Sequence, residues 1–167
     1  FQQSLGRYAR IDEFRCDKVL NKDSAGVLLS MLKPYDLVIA SIHGTSFKVD
    51  KEFGIPQITL DFLRRLGDQN TMAFALFANP YRLTQAYGAN RWGAVVCAYE
   101  ENDDTEDLVA QALFGAIGAN GRLPVTATSY FEQGRGLVLK PVQRMDFVLP
   151  EADSVPSFEL GRIDAIV

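Results

Sequence analysis

A single histidine, His43, a single tryptophan, Trp92, and two cysteines, Cys16 and Cys97, occur in 167 residues. Cys16 precedes a predicted helix and Cys97 falls inside a predicted strand, so both read as buried or partly buried free thiols rather than as a disulfide. Their spacing is not that of metal ligands. No glycine-rich phosphate loop follows any predicted strand: Gly44 stands alone in HGTS, which argues against nucleotide binding. Ser46, Ser129 and Ser154 have no nucleophile-elbow context. The apolar runs 37–42, 72–78 and 93–98 are six or seven residues long, far short of the roughly 20 needed to span a bilayer. With 17 basic against 21 acidic residues, a net charge of −4, the chain offers no extended cationic surface for nucleic acid. The N-terminal FQQSLGRYAR lacks a signal-peptide pattern. The compartment therefore stays unassigned, with export of a parent protein to the bacterial periplasm or cell envelope left open. Neither a cofactor nor a metal is assigned.

What the chain does have is apolar content, 47% of its residues, enough for one compact core that removes roughly 70% of the unfolded surface from water. Phe1, Leu5 and Tyr8 recur at helical spacing. Ile11 to Phe14 reads as a short strand. Asp23 or Ser24 is placed to cap a helix carrying Val27, Leu28, Met31 and Leu32 before Pro34 stops it. Asp36 to Ile42 is nearly continuous in apolar residues and reads as an interior parallel strand. Leu60, Leu63 and Leu66 predict a short helix ending at Gly67, and Met72 to Ala78 a strand ended by Asn79 and Pro80. Leu83 to Tyr87 predicts a helical turn or two, and Ala94 to Ala98 a further buried strand. A helix over Thr105 to Phe114 follows, capped by Asp104 or Thr105, with Glu106 and Asp107 in its first turn and an apolar stripe of Leu108, Val109, Ala112, Leu113 and Ala116. Gly115 or Gly118 releases it. Short apolar strands separated by crossovers of helical length specify an α/β fold, a three-layer α/β/α sandwich on a mostly parallel sheet. From Tyr130 onward, glycines and prolines imply an irregular C-terminal arm. The predicted division is a sandwich domain over residues 1–137 and an extended arm and connector over 138–167.

In an open parallel sheet, ligands gather beyond the carboxyl ends of the strands, here Ser41 to Ser46, Asn79 to Arg82 and Tyr99 to Asp103. His43 directly follows a buried strand, where an imidazole can exchange protons near neutral pH or meet an oxygen-rich ligand; a structural or surface role is the alternative. Glu100 and Glu101 are the acid candidates, and alternation lets only one of them point inward. Together with Asp103, Asp104, Glu106 and Asp107 they also fit a solvated helix entrance. Asn79 and Arg82, in NPYRL, fit a structural clamp or a site for a ligand carboxylate. Trp92 fits a domain interface or the core. Sugar-bond hydrolysis needs two opposed carboxylates, and no such pair is assigned.

Six segments in order, YDLVIASIHG (35–44), GIPQITLDFLRRL (54–66), ALFANPYRL (75–83), AVVCAYEEN (94–102), AQALFGAIGANGRLPVT (110–126) and FEQGRGL (131–137), resemble the C-terminal α/β sandwich domain of glycoside hydrolase family 3. The branch they resemble is that of the bacterial β-N-acetylglucosaminidases (β-N-acetylhexosaminidase-like). The resemblance implies an accessory domain of a retaining hydrolase whose nucleophile lies on a preceding (β/α)8 barrel of the same polypeptide. It also implies that the domain stabilises that barrel and shapes the pocket for its carbohydrate substrate, so that the isolated chain carries no catalytic residue and is inactive. Possible rim or domain-interface residues are His43, Asn79, Arg82, Glu100 and Glu101. His43 does not lie in the branch's histidine-bearing loop motif, and neither Glu100 nor Glu101 has the context of the glutamate that acts as acid/base in β-glucosidase-like members. A first strand is expected before Phe1, making the domain N-terminally truncated. PEADSVPSFELGRIDAIV (150–167) resembles the connector into a following penicillin-binding-protein-like serine hydrolase domain. The competing expectation is a stand-alone interaction module that uses its glycine-rich arm for assembly.

Overall fold

The computed structural model describes residues 1–17 and 21–142. Its elements, in chain order, are helix α1 (Gln2–Gly6), helix α2 (Lys22–Leu32), strand β1 (Leu37–Ile42), helix α3 (Gln57–Gln69), strand β2 (Thr71–Leu76), strand β3 (Ala94–Cys97) and helix α4 (Asp103–Leu113). The three strands form one parallel sheet in the order β1-β2-β3. Leu37 to Ile42 pair in register with Thr71 to Leu76, and Ala73 to Leu76 with Ala94 to Cys97. The fold class is α/β, as expected.

Alternation along β2 divides the core. Met72, Phe74 and Leu76 face the larger cluster, with Leu29 and Leu32 of α2 and Leu60, Leu63 and Leu66 of α3. Ala75, with Phe77 just beyond the strand, faces a smaller cluster closed by Val109 and Leu113 of α4 and by Phe1. Helices thus cover both faces of the sheet. At about 25 cal/mol per Å² of apolar surface, the larger cluster supplies most of the burial. α1 is tied to α4 by hydrogen bonds from Ser4 and Arg7 to Asp107 and by stacking of Tyr8 on Phe114 at 5.3 Å.

Several expectations are corrected. β2, with five consecutive buried residues, is the interior strand; β1 lies at the sheet edge and is only partly buried over most of its length. β1 borders a cleft of about 1010 Å³, shared with Phe14, Leu28, Leu32 and Phe62. Ile11 to Phe14 is not a strand. Asn21, not Asp23 or Ser24, caps α2: its side chain accepts from the Ser24 N–H at 2.7 Å. α3 continues through Gly67 to Gln69, and the glycine permits close approach of Trp92: a Cβ there would stand 2.3 Å from its ring. Trp92 is accordingly a core residue, edge-on to Phe74 at 5.4 Å. Pro80–Gln85 is a 3₁₀ turn. α4 starts on Asn102, whose side chain accepts from the Thr105 N–H at 2.8 Å, and Leu108 faces solvent while Val109 and Ala110 are buried. Gly115, at φ +77°, then turns the chain outward. Cys16 is exposed and Cys97 half-buried, both unpaired.

The GRLPVT segment and the arm fold back on each other: Ala119 and Leu139 exchange backbone hydrogen bonds, as do Leu123 and its partners Gly134 and Arg135. Ala127 and Phe131 return to the main core. The segment expected to lead into a further domain, 150–167, lies outside the described residues.

Candidate functional site at the carboxyl ends of the strands

Three loops leave the carboxyl ends of the strands, and each is built differently. After β1, residues 43–48 carry His43, Gly44 and Thr45. The loop is braced from beyond by Phe53, whose carbonyl accepts the Ser46 N–H at 2.9 Å. Glu52, Phe53 and Gly54 run consecutively in the left-handed region, at φ 50°, 54° and 75°, a conformation that costs the two non-glycine residues about 1–3 kcal/mol each. Thr45 ties the loop to the centre of the sheet, its hydroxyl donating to the Phe77 carbonyl at 2.7 Å.

After β3 the chain makes a tight three-residue turn. The Glu100 N–H donates to the Ala98 carbonyl at 2.8 Å, with Tyr99 between them at φ +68°. This strained turn, not strand alternation, decides which glutamate faces the site. Glu100 is exposed. Glu101 swings to the β1 loop, where it accepts the N–H groups of Gly44 at 2.9 Å and Thr45 at 3.0 Å. Burial acts to raise the Glu101 carboxyl, but these two N–H groups and His43 outweigh it and hold the carboxyl below its ordinary value. Burial, and then the Cys97 thiol, hold the Tyr99 phenol above its usual value.

His43 stands where these loops meet. Its Nδ1 lies 3.2 Å from Glu101 Oε1 and 3.1 Å from Oε1 of Glu106 in the first turn of α4. Its Nε2 lies 2.9 Å from the Ser41 hydroxyl. The ring stacks on Phe77 at 5.3 Å. The side chains of His43, Glu101 and Glu106 are 39%, 26% and 16% exposed, so the group is reachable yet partly shielded. The Phe1 amino group meets the second oxygen of Glu106. His43, Ser41 and Glu106 also line the β1 cleft.

The third loop, after β2, is a clamp. The Asn79 side chain accepts from the Tyr81 N–H at 3.0 Å. Arg82 is 3% exposed and donates to the Ile55 carbonyl and to Gln85, with Glu52 at 3.9 Å. Burial pushes its guanidinium below its ordinary value, against the opposing pull of Glu52. Among the described residues its Nε finds no partner.

Comparison with known proteins supplies no parentage. No family model, no curated protein and no solved structure matches the chain. What the site can do therefore rests on its own geometry.

Of the five residues singled out from sequence, the structure brings two together, His43 and Glu101, and directs Glu100 away. Asn79 and Arg82 stay in the separate clamp. Ser41 and Thr45 fell inside the strand-end segment 41–46 but were not singled out, and Glu106 was read only as part of the acidic helix entrance. Ser41 was accessible in principle, since positions i and i+2 around a strand end share a face; Glu106 was hidden among acidic residues that a helix start attracts for its own reasons. The order Ser41, His43, carboxylate has the form of a nucleophile, base and orienting group. However, the N–H groups of Gly44 and Thr45 in the same loop are engaged by Glu101, so this loop lends Ser41 no donors for an oxyanion.

Proposed function

We infer that this chain is an accessory, non-catalytic sheet domain of a retaining, β-N-acetylglucosaminidase-like glycoside hydrolase, and that its strand-end face shapes the rim of a sugar pocket on a (β/α)8 barrel. The observation that carries the reading is the composition of that face. The strand-end loops carry exposed aromatics, Phe47 at 77%, Tyr81 at 46% and Tyr99 at 39%, and the loops after β1 and β3 also supply the partly exposed cluster of Ser41, His43 and Glu101. Aromatic surfaces with fixed polar groups between them suit both a domain interface and the faces and hydroxyls of a sugar. The ordered motif series from YDLVIASIHG to FEQGRGL supports the same reading.

The test has two arms. The purified 167-residue protein is expected to leave an aryl β-N-acetylglucosaminide unhydrolysed. In the enzyme carrying an adjoining barrel, Phe47→Ala with Tyr99→Ala is expected to raise KM with little change in kcat. Turnover by the chain alone that a single substitution within it abolishes, or a reading frame with no barrel beside it, would sink the proposal.

The second reading, an interaction module, is favoured by one observation. The arm exposes Tyr130, Leu137, Val138 and Val142, an apolar surface of the kind partners cover. Concentration-independent monomeric behaviour, unaltered by Leu137→Ser, would remove it.

A further inference from the structure

We propose that His43, Glu101 and Glu106 form a binding site for a divalent transition-metal ion, with Zn²⁺ the ion the donor set suits best. This goes beyond the rim reading and does not depend on it. One imidazole nitrogen and two carboxylate oxygens from three separate parts of the chain converge so that all three donor atoms lie within 4.8 Å of one another. Two ligands 2.0–2.2 Å from one ion stand about 2.9 Å apart when adjacent in an octahedron and about 3.4 Å apart in a tetrahedron. The Nδ1 distances to the two glutamate oxygens, 3.2 and 3.1 Å, fall between these limits.

The surroundings fit as well. Nδ1 carries at most one proton, yet it faces two carboxylate oxygens; an ion there satisfies both and offsets their mutual repulsion. The Ser41 hydroxyl, 2.9 Å from Nε2, can accept that nitrogen's proton and so fix the ring with Nδ1 turned to the metal. Phe77 holds the ring plane from one side. Glu101 is oriented by the Gly44 and Thr45 N–H groups, the partners that support a ligating carboxylate. Glu106 presents Oε1 to the ring from the first turn of α4. Three protein ligands leave the remaining positions to water, and His43 and Glu106 also border the β1 cleft. A mixed nitrogen and carboxylate set favours a borderline ion such as Zn²⁺ over Mg²⁺ or Ca²⁺, which prefer oxygen alone.

His43 is the only histidine, so its ring resonances report on the site without ambiguity. Zn²⁺ is titrated into the metal-stripped protein in a Cys16→Ser background, which removes the exposed thiol. One equivalent is expected to shift the His43 ring signals, and Glu101→Gln and Glu106→Gln are each expected to weaken binding at least about tenfold while the amide spectrum stays folded. Glu106→Gln keeps the shape of a half-buried side chain on α4, so the test survives if His43→Gln fails to fold. Co²⁺ is expected to bind without a thiolate charge-transfer band. Ring signals unmoved at about 1 mM Zn²⁺, equal binding by the Glu101→Gln, Glu106→Gln double variant, or a thiolate band with Co²⁺ would each overturn the proposal.

Discussion

The loops after β1 and β3 and the loop after β2 lie at the same end of one sheet, yet they treat their charged groups in opposite ways. Glu101 and His43 are oriented by backbone N–H groups and a hydroxyl and remain partly exposed, at 26% and 39%. Arg82 is buried and turned inward, its guanidinium closing the gap between the Ile55 carbonyl and the 3₁₀ turn. The difference teaches where function can reside. A charge whose partners are all structural is committed to stability, whereas a charge oriented by backbone and left accessible is available to a ligand.

Removing the clamp is expected to have the largest effect. Arg82→Ala leaves the Ile55 carbonyl unpaired and opens a cavity, and should cost about 2–4 kcal/mol in urea unfolding. Arg82→Met, which keeps the volume, should recover part of that loss. If Arg82→Ala is neutral, the loop after β2 is not a clamp and the contrast fails.

Next in size is a pH effect beneath the β3 loop. Burial pushes the Cys97 thiol from its ordinary 9.0 up to about 11. Because the folded value is raised, the unfolded chain gives up its proton first as pH rises. The contribution is whole below about 9 and is lost as pH climbs through about 11. Wild type should therefore lose on the order of 1–2 kcal/mol relative to Cys97→Ala across that window, with chemical denaturation at several pH values as the measure.

A smaller cost is expected at the accessible site. Glu101→Gln forfeits charge-assisted bonds to two N–H groups and should cost about 1 kcal/mol at neutral pH, visible as a lowered urea midpoint and faster amide exchange at Gly44 and Thr45. A loss as large as that of Arg82→Ala would show Glu101 to be structural and would erase the distinction. The smallest effect belongs to Glu100→Gln, expected within about 0.5 kcal/mol of wild type, because Glu100 points to solvent. A larger change would mean that the turn at Tyr99 directs the wrong glutamate.

Much of the fold was legible because it rests on local pattern. The apolar runs marked all three strands, and β1 and β3 differ from expectation by a single residue at an end. Helix α4 was visible in its acidic start and apolar positions. What local pattern misjudged was rank and orientation. The nearly continuous apolar run of β1 suggested an interior strand, yet β1 sits at the sheet edge and is only partly buried, because apolar sequence alone does not fix a strand's place in the sheet. The α4 stripe included Leu108, which the docking of α1 and the sheet leaves facing solvent. Of the site, His43 and Glu101 were each recognisable from strand-end position, but nothing local joined two residues 58 positions apart. Glu106 looked like one more acid at a helix start.

By itself, then, the sequence determined the parallel α/β architecture, the three strand ends where chemistry can gather, and the absence of any helix-length apolar span. These follow from hydrophobic period and turn residues, which act over a few neighbours. Only the tertiary structure decided that Glu101 rather than Glu100 meets His43, that Arg82 is buried, and that Glu106 completes a three-donor cluster. Those outcomes depend on the strained turn at Tyr99, the parallel register of β1 through β3 and the docking of α4, each a long-range consequence of packing.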